Sequence, residues 1–383
     1  MINPTLPKGW KSVRLKEILT PIYEKVGDKT LETLSISAGI GFVNQAEKFG
    51  RELSGSQYEN YVVLRRGDFS FNKGNSKKYP FGCTYQLKER EIAAVPNVFF
   101  SFRLNKQCNE YFEQLFINGC LNHQLSMLIN TGVRNDGLFN LYERDFYNCS
   151  IPLPPLPEQK AIAKILATAD NLITEKQRLI TARQKQKQWL MQNLLTGKIR
   201  LPGFKERWKK MRLGNITTID VGQAPLSAEA GSYPFVNAGT TPSGYLSTYN
   251  TEADTITTPS RGQGGIGSVN YQANPFWCGP LSYRIRSKLD KLSTHYLYYW
   301  LSNYIVHIIE IAHMSGLPAL NKKELIQLNI SLPSLPEQQA IANVLTTADR
   351  EIELLQQELE QQKLLKKYLM QKLLTGKIRV KGV

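Results

Sequence analysis

One long segment of this chain is written twice, and that repeat constrains its fold more than any other feature. IPLPPLPEQKAIAKILATAD begins at Ile151 and ISLPSLPEQQAIANVLTTAD at Ile330, while LLTGKIR begins at Leu194 and again at Leu373. Both pairs are offset by 179 residues, so nothing is gained or lost inside the segment, as packing would require of a helix that cannot change phase. A weaker echo precedes each copy. Trp10, Arg14, Leu15 and Ile18 match Trp208, Arg212, Leu213 and Ile216 at an offset of 198, which puts 19 extra residues in the first half. The plan is a variable region followed by a fixed helix, stated twice.

Each copy has the grammar of a helix. Pro157 and Pro336 suit a first turn, Glu158 and Glu337 place negative charge at the positive end of the dipole, and Gly197 and Gly376 suit the stop. Between them, Ile162, Leu166, Ala169, Ile173, Ile180, Leu190 and Leu194 follow a four-three rhythm. So do Ile341, Leu345, Ala348, Ile352, Leu355, Leu359, Leu369 and Leu373. Lys176, Arg183 and Lys187 interrupt the first seam, and Gln362 and Lys366 the second. About 40 residues at a rise of about 1.5 Å make a rod of about 60 Å. Two such helices packed antiparallel would set each variable domain at the start of its own helix and beside the end of the other. The predicted fold class is therefore α+β: two mixed α/β domains separated by two long antiparallel coiled-coil helices, with pseudo-two-fold symmetry. A plain oligomerisation stalk is the reading that a single such helix would favour.

Charge narrows the partner. The 383 residues carry a formal net charge of +16, which points to a polyanion, nucleic acid first and a membrane surface second. Residues 151–200 hold nine Lys or Arg against three acidic residues, a net of +6 that a solvated helix face mostly explains. No apolar run reaches the length of a membrane span and the start lacks a signal-peptide core, so the expected location is the cytoplasm. Cys83, Cys108, Cys120, Cys149 and Cys278 include no C-x-x-C pair and read as reduced, mostly buried thiols. His123, His295, His307 and His313 lack ligand spacing and read as structural.

Both variable regions are mixed. TLETLSIS, YVVLRRGDFSFN and VPNVFFSFRL read as strands and EYFEQLFING as a helix in the first; TITTPS and GSVNYQ read as strands and residues 293–312 as a helix in the second. Aromatic and basic residues interleave on the loops. FNKGNSKKYPFG holds Lys73, Asn75, Lys77, Lys78 and Tyr79, and SRGQGG holds Ser260, Arg261, Gln263 and Gly264. Arg and Gln can pair bidentately with base edges, Lys more often meets phosphate, and glycine lets the backbone approach a ligand. Two further loops, with Arg134 and Asn135 in one and Ser315 in the other, precede the second and fourth segments of the plan. Tight turns with solvated lysines are the alternative reading of each loop.

Gly262, Gly264 and Gly267 spell G-x-G-x-x-G, and Asn274-Pro275-Phe276-Trp277 approaches the Asn-Pro-Pro-aromatic box of enzymes that methylate the amino group of adenine. A cofactor turn needs a helix directly after it, so that amide groups and dipole face the phosphate or methyl donor. The residues after Gly267, SVNYQANPFW, read as a strand and then a turn, and the second proline is absent. A self-sufficient adenine methyltransferase is thus the weaker alternative, as is a scaffold without sequence readout.

The duplicated PLPEQ-x-A-I-A helix starts, the duplicated LLTGKIR ends, the W-x-x-x-R-L echoes and SRGQGGIGSVNYQANPFW together make the chain similar to the specificity subunit of type I restriction–modification systems. That resemblance implies a non-catalytic DNA-recognition subunit. Residues 1–150 and 201–329 would be target recognition domains reading the halves of a split, asymmetric site; 151–200 and 330–383 would be spacer helices, the latter with a C-terminal tail. Two modification subunits carrying S-adenosylmethionine would dock on the helix starts, at Pro157, Glu158, Gln159, Pro336, Glu337 and Gln338. Restriction subunits using ATP and magnesium would join them. The chain itself would hold no cofactor or metal.

Overall fold

The computed structural model describes residues 6–50, 55–74, 79–129, 140–225, 229–262, 265–304, 312–313, 319–380 and 382. Asn75, Lys77, Lys78, Arg134, Asn135, Gln263, Gly264 and Ser315 lie outside them. Contacts divide the chain into two compact units. The first is residues 1–175 with 359–383, and the second is residues 176–358. The boundary cuts through the middle of both repeated segments, so each unit takes the start of one long helix and the end of the other.

Those helices run Leu156–Leu194 and Leu335–Leu373, 39 residues each, inside the spans the repeat marks out. Pro157 and Pro336 fall in their first turns. Gly197 and Gly376 take left-handed φ of 70° and 69°, where a side chain would be strained, and they close the C-terminal turns. In unit 1, Ile162 and Leu166 from the first helix share a core with Met370, Leu373 and Leu374 from the end of the second. In unit 2, Ile341 and Leu345 share a core with Leu194 and Leu195. Within each unit, then, one helix start packs against the other helix's end, which is the antiparallel seam.

The charged residues that interrupt the rhythm are paired. In unit 2, Lys176 bonds Glu358 at 2.6 Å, Arg183 bonds Glu351 at 2.8 Å and Lys187 reaches Asp349. In unit 1, Lys366 reaches Asp170. Such cross-helix pairs add little stability when half exposed, but they favour a single register because a slipped seam would leave the cations unpaired.

The domains share a framework too. In unit 1, Lys11–Arg14 pairs antiparallel with Ser150–Leu153, Lys11 opposite Leu153. In unit 2, Lys209–Arg212 pairs the same way with Asn329–Leu332, Lys209 opposite Leu332. Each two-stranded ribbon feeds directly into its long helix, which is why the first helix begins at Leu156 and not at Ile151. Each unit then has a four-stranded antiparallel sheet. In spatial order its strands are Leu19–Pro21, Phe100–Leu104, Phe69–Asn72 and Cys83–Gln86 in unit 1. In unit 2 they are Thr217–Val221, Ser282–Ser287, Thr255–Pro259 and Asn270–Gln272. In both, the chain's first strand is at the edge, the fourth beside it, then the second and third. Helices Asn109–Ile117 and Thr294–Asn303 pack their aromatic faces, Tyr111 and Phe112 in one and Tyr296 and Trp300 in the other, into the two cores.

One sequence expectation needs correction here. The helix expected over 293–312 is seen as Thr294–Asn303, and Ala312–His313 is a strand paired with Ala319–Leu320. The run IVHIIEIA is apolar enough to suit either element, and its end was recruited by a hairpin partner. Among the described residues no helix is long and apolar enough to cross a membrane.

The thiols are largely enclosed. Four are buried and Cys120 is half-buried, and burial pushes Cys83, Cys149 and Cys278 up to about 11. At pH 8 such a thiol is only about 0.1% thiolate, the reactive form. Native chain treated with a thiol-specific chromogenic reagent at pH 8 should therefore react slowly at these three positions and rapidly once unfolded in guanidinium; equal rates in both states would contradict the burial.

Candidate nucleic-acid interface

The readout loops singled out in sequence are equivalent in the fold. Residues 73–82 connect the second and third strands of the unit 1 sheet, and residues 260–269 connect the second and third strands of the unit 2 sheet. Sequence comparison could not align them, because they share no residues beyond a scatter of glycine. Both loops are forced tight by backbone contact. A Cβ on Gly82 would lie 2.5 Å from the Asn72 carbonyl oxygen, and one on Gly265 would lie 2.0 Å from that of Ala238. No side chain fits at either distance, so glycine there is a packing requirement.

The side chains at the two loops differ. Lys73 is half-buried with its Nζ 4.8 Å from the centre of the Phe100 ring, and Tyr79 is half-buried against Gly39 and the adjoining core. Ser260 is buried: its N–H donates to Leu281 and its carbonyl accepts from Leu320. It frames the loop and does not face solvent. Arg261, one residue on, is exposed, forms a bridge with Ala319 and has no ion pair among the described residues. The Tyr283 hydroxyl donates to the Leu320 carbonyl at 3.0 Å and holds this hairpin base to the sheet. Sheet and hairpin thus present Arg261 at the rim of unit 2.

The G-x-G-x-x-G stretch is no cofactor turn. Residues 265–267 form a turn with Ser268 donating back to Gly265, and the chain continues into strand Asn270–Gln272. No helix N-terminus comes after it to meet a phosphate. Asn274-Pro275-Phe276-Trp277 serves packing, as its sequence suggested. Phe276 is fully buried and exchanges backbone bonds with Thr251, Trp277 and Cys278 pair in parallel with Phe235 and Val236, and the Trp277 indole donates to the Gln223 carbonyl at 2.8 Å.

The Pro-Glu-Gln triplets have a role that sequence reasoning missed. The Glu158 carboxylate accepts from the Trp10 indole at 3.0 Å and from Arg379 at 2.6 and 2.8 Å. Glu337 accepts from Trp208 at 3.1 Å and, bidentately, from Arg200. Both carboxylates are buried. Each node therefore joins the Trp that opens a domain, the Glu that opens its helix, and the Arg that ends the other helix's LTGKIR. The arginines stay firmly charged because of their bonds to the glutamates. Gln159 accepts from the Cys108 N–H at 3.1 Å and donates to Pro154; Gln338 accepts from Ser293 and donates to Pro333. Cys108 and Ser293 are the N-cap residues of the two domain helices. The docking role expected of Glu158, Gln159, Glu337 and Gln338 is thereby corrected: their polar atoms are consumed inside the units. Only Pro157 and Pro336 of that set are exposed. The signal was available, since Trp, Glu and Arg recur together in both copies.

Two units built on one framework, each with its own loops on the same sheet position, define a two-module recognition protein. The profile described as type I restriction modification DNA specificity domain matches residues 7–182 and 205–363, one match beginning in each half of the repeat. The chain is 34% identical to a putative type I restriction enzyme specificity subunit, MjaX, of Methanocaldococcus jannaschii, over 98% of this chain and 95% of that one. It is 29% identical to the MjaVIII specificity subunit of the same organism over 73% of each. Among solved structures, the type I S subunit of M. genitalium superposes with a TM-score of 0.65 at 17% identity over 97% of both chains. The HsdS subunit of Thermoanaerobacter tengcongensis superposes with 0.53 at 23% identity, over 98% of this chain and 99% of that one. The chain belongs to the type I restriction–modification DNA specificity family.

Proposed function

We propose that this chain is the DNA-recognition subunit of a type I restriction–modification complex, that it performs no chemistry itself, and that its two domains read the unlike halves of a bipartite site. The observation that carries this reading is one framework used twice with different loops at the same sheet position: like halves would read a palindrome, unlike halves an asymmetric site. Lys73 and Tyr79 in unit 1 and Arg261 in unit 2 stand at the readout loops. Asn75, Lys77, Lys78, Arg134, Asn135, Gln263, Gly264 and Ser315 are proposed on sequence grounds alone. Two modification subunits, bringing S-adenosylmethionine, would dock near the exposed helix starts at Pro157 and Pro336; restriction subunits, bringing ATP and magnesium, would complete the assembly in the cytoplasm.

Methylome sequencing tests this directly. Cells expressing the chain with a modification subunit should carry methylated adenine in a bipartite motif, and that motif should vanish when only this chain is deleted. Methylation that persists unchanged would remove the recognition role. Methyl transfer by the purified chain alone would establish the methyltransferase alternative instead.

A further inference from the structure

Beside the edge strand Thr217–Val221 of unit 2 lies a groove of about 530 Å³ on which three cations converge from three separate segments. Arg212 comes from the ribbon, Lys288 from just beyond the fourth sheet strand, and Lys322 from the short helix Lys322–Leu325. All three are exposed, and none makes an ion pair among the described residues. Lys288 is held by a bond from its ammonium to the Gly214 carbonyl at 3.0 Å. The one carboxylate of the groove, Asp220, is already occupied by Arg284 at 2.8 Å and Arg286 at 3.4 Å. Asn215, Thr218 and Gln327 add neutral polar groups to the lining.

The groove is particular to unit 2. At the offset of 198, Gly214 and Asn215 stand where unit 1 has Lys16 and Glu17. Glu17 puts a carboxylate at that place, accepting from the Arg14 N–H at 3.0 Å. In unit 2 the carboxylate is gone. A Cβ on residue 214 would lie 2.8 Å from that of Ile326, so glycine lets the 326–327 segment close down and bond through the Gly214 N–H. The same framework has been converted from mixed charge to uncompensated positive charge.

We propose that this groove binds the phosphodiester backbone of duplex DNA and so positions unit 2 on its half-site without reading sequence. The proposal rests on the DNA-recognition reading above. Three unpaired cations at a polar groove fit a row of phosphates, which reward neutralisation with counterion release at every sequence. An acidic segment of a partner protein would meet the same charge, but it would carry no salt-dependent DNA affinity.

The full chain, titrated with a 30-base-pair duplex of arbitrary sequence at several salt concentrations, supplies the test. In the double variant Arg212→Gln/Lys322→Gln the slope of log K against log salt should become shallower by about 1.8, two phosphate contacts' worth, with affinity at 0.15 M salt falling roughly 30-fold. Both side chains are exposed and unpaired, so thermal unfolding should not move. Asn215→Glu, which restores unit 1's carboxylate, should weaken binding in the same direction. An unchanged slope in both variants, with wild-type binding intact, would overturn the groove and leave the recognition reading standing. Wild-type chain with no salt-dependent DNA binding would overturn both. Unchanged DNA binding together with loss of a co-purifying modification subunit would assign the groove to an acidic protein segment and likewise overturn the proposal.

Discussion

Replacing Glu337 with Ala should destabilise the chain by about 3 kcal/mol, the low end of what removing one partner of a buried ion pair costs. The carboxylate is fully buried, while the Arg200 side chain is about a quarter exposed and can recover some hydration, so the low end applies. Trp208 loses the acceptor of its indole N–H in the same step. For a unit of this size the melting midpoint should fall by roughly 6–12 °C. The double variant Glu337→Ala/Arg200→Ala should lose clearly less than the sum of the two single losses, because the second truncation removes the charge the first one stranded. Additive losses would mean that the two groups stabilise the unit independently. The pair also matters beyond stability. The arginine belongs to the end of one repeat and the glutamate to the start of the other, so each unit is completed by the helix of the opposite half.

The second large effect concerns readout and should leave stability alone. Arg261 is exposed and unpaired, so Arg261→Ala should change unfolding by less than about 0.5 kcal/mol. If the guanidinium reads a base edge bidentately, its loss removes about 1 to 3 kcal/mol of discrimination at one position of one half-site, roughly 5- to 150-fold in relative affinity. Binding of the assembled complex to every single-base variant of the methylated motif measures this. Preference should relax at one position in one half and stay intact in the other. An unrelaxed profile would remove Arg261 from the readout set and return this loop to the turn reading. The contrast with Arg212 and Lys322 is sharp: neutralising those should weaken binding to all sequences alike.

How far the sequence was legible depends on the kind of information each feature needs. The helices were legible because a heptad rhythm is local, and because two copies at a constant offset leave no freedom of phase. The packing role of Phe276 and the lack of a cofactor turn at Gly262 to Gly267 were legible for a similar reason, since the residues after a turn decide whether a helix can form. The far end of the 293–312 helix was not, because an apolar run of that length is compatible with either element until a partner strand is known.

By itself, the sequence determined the repeat, the two long antiparallel helices and the division into variable and fixed regions, all of which depend on residues within a few turns of one another. Only the tertiary structure decided that Glu158 and Glu337 are interior pairs and not docking groups, since their arginines lie 221 and 137 positions away in the chain. It alone made loops 73–82 and 260–269 equivalent, because position in a sheet is set by hydrogen-bonded neighbours and not by side-chain identity. It also gathered Arg212, Lys288 and Lys322 beside one edge strand. Charge in a sequence has a sum but no address; where it acts depends on which segments the packing of the core brings to the same surface.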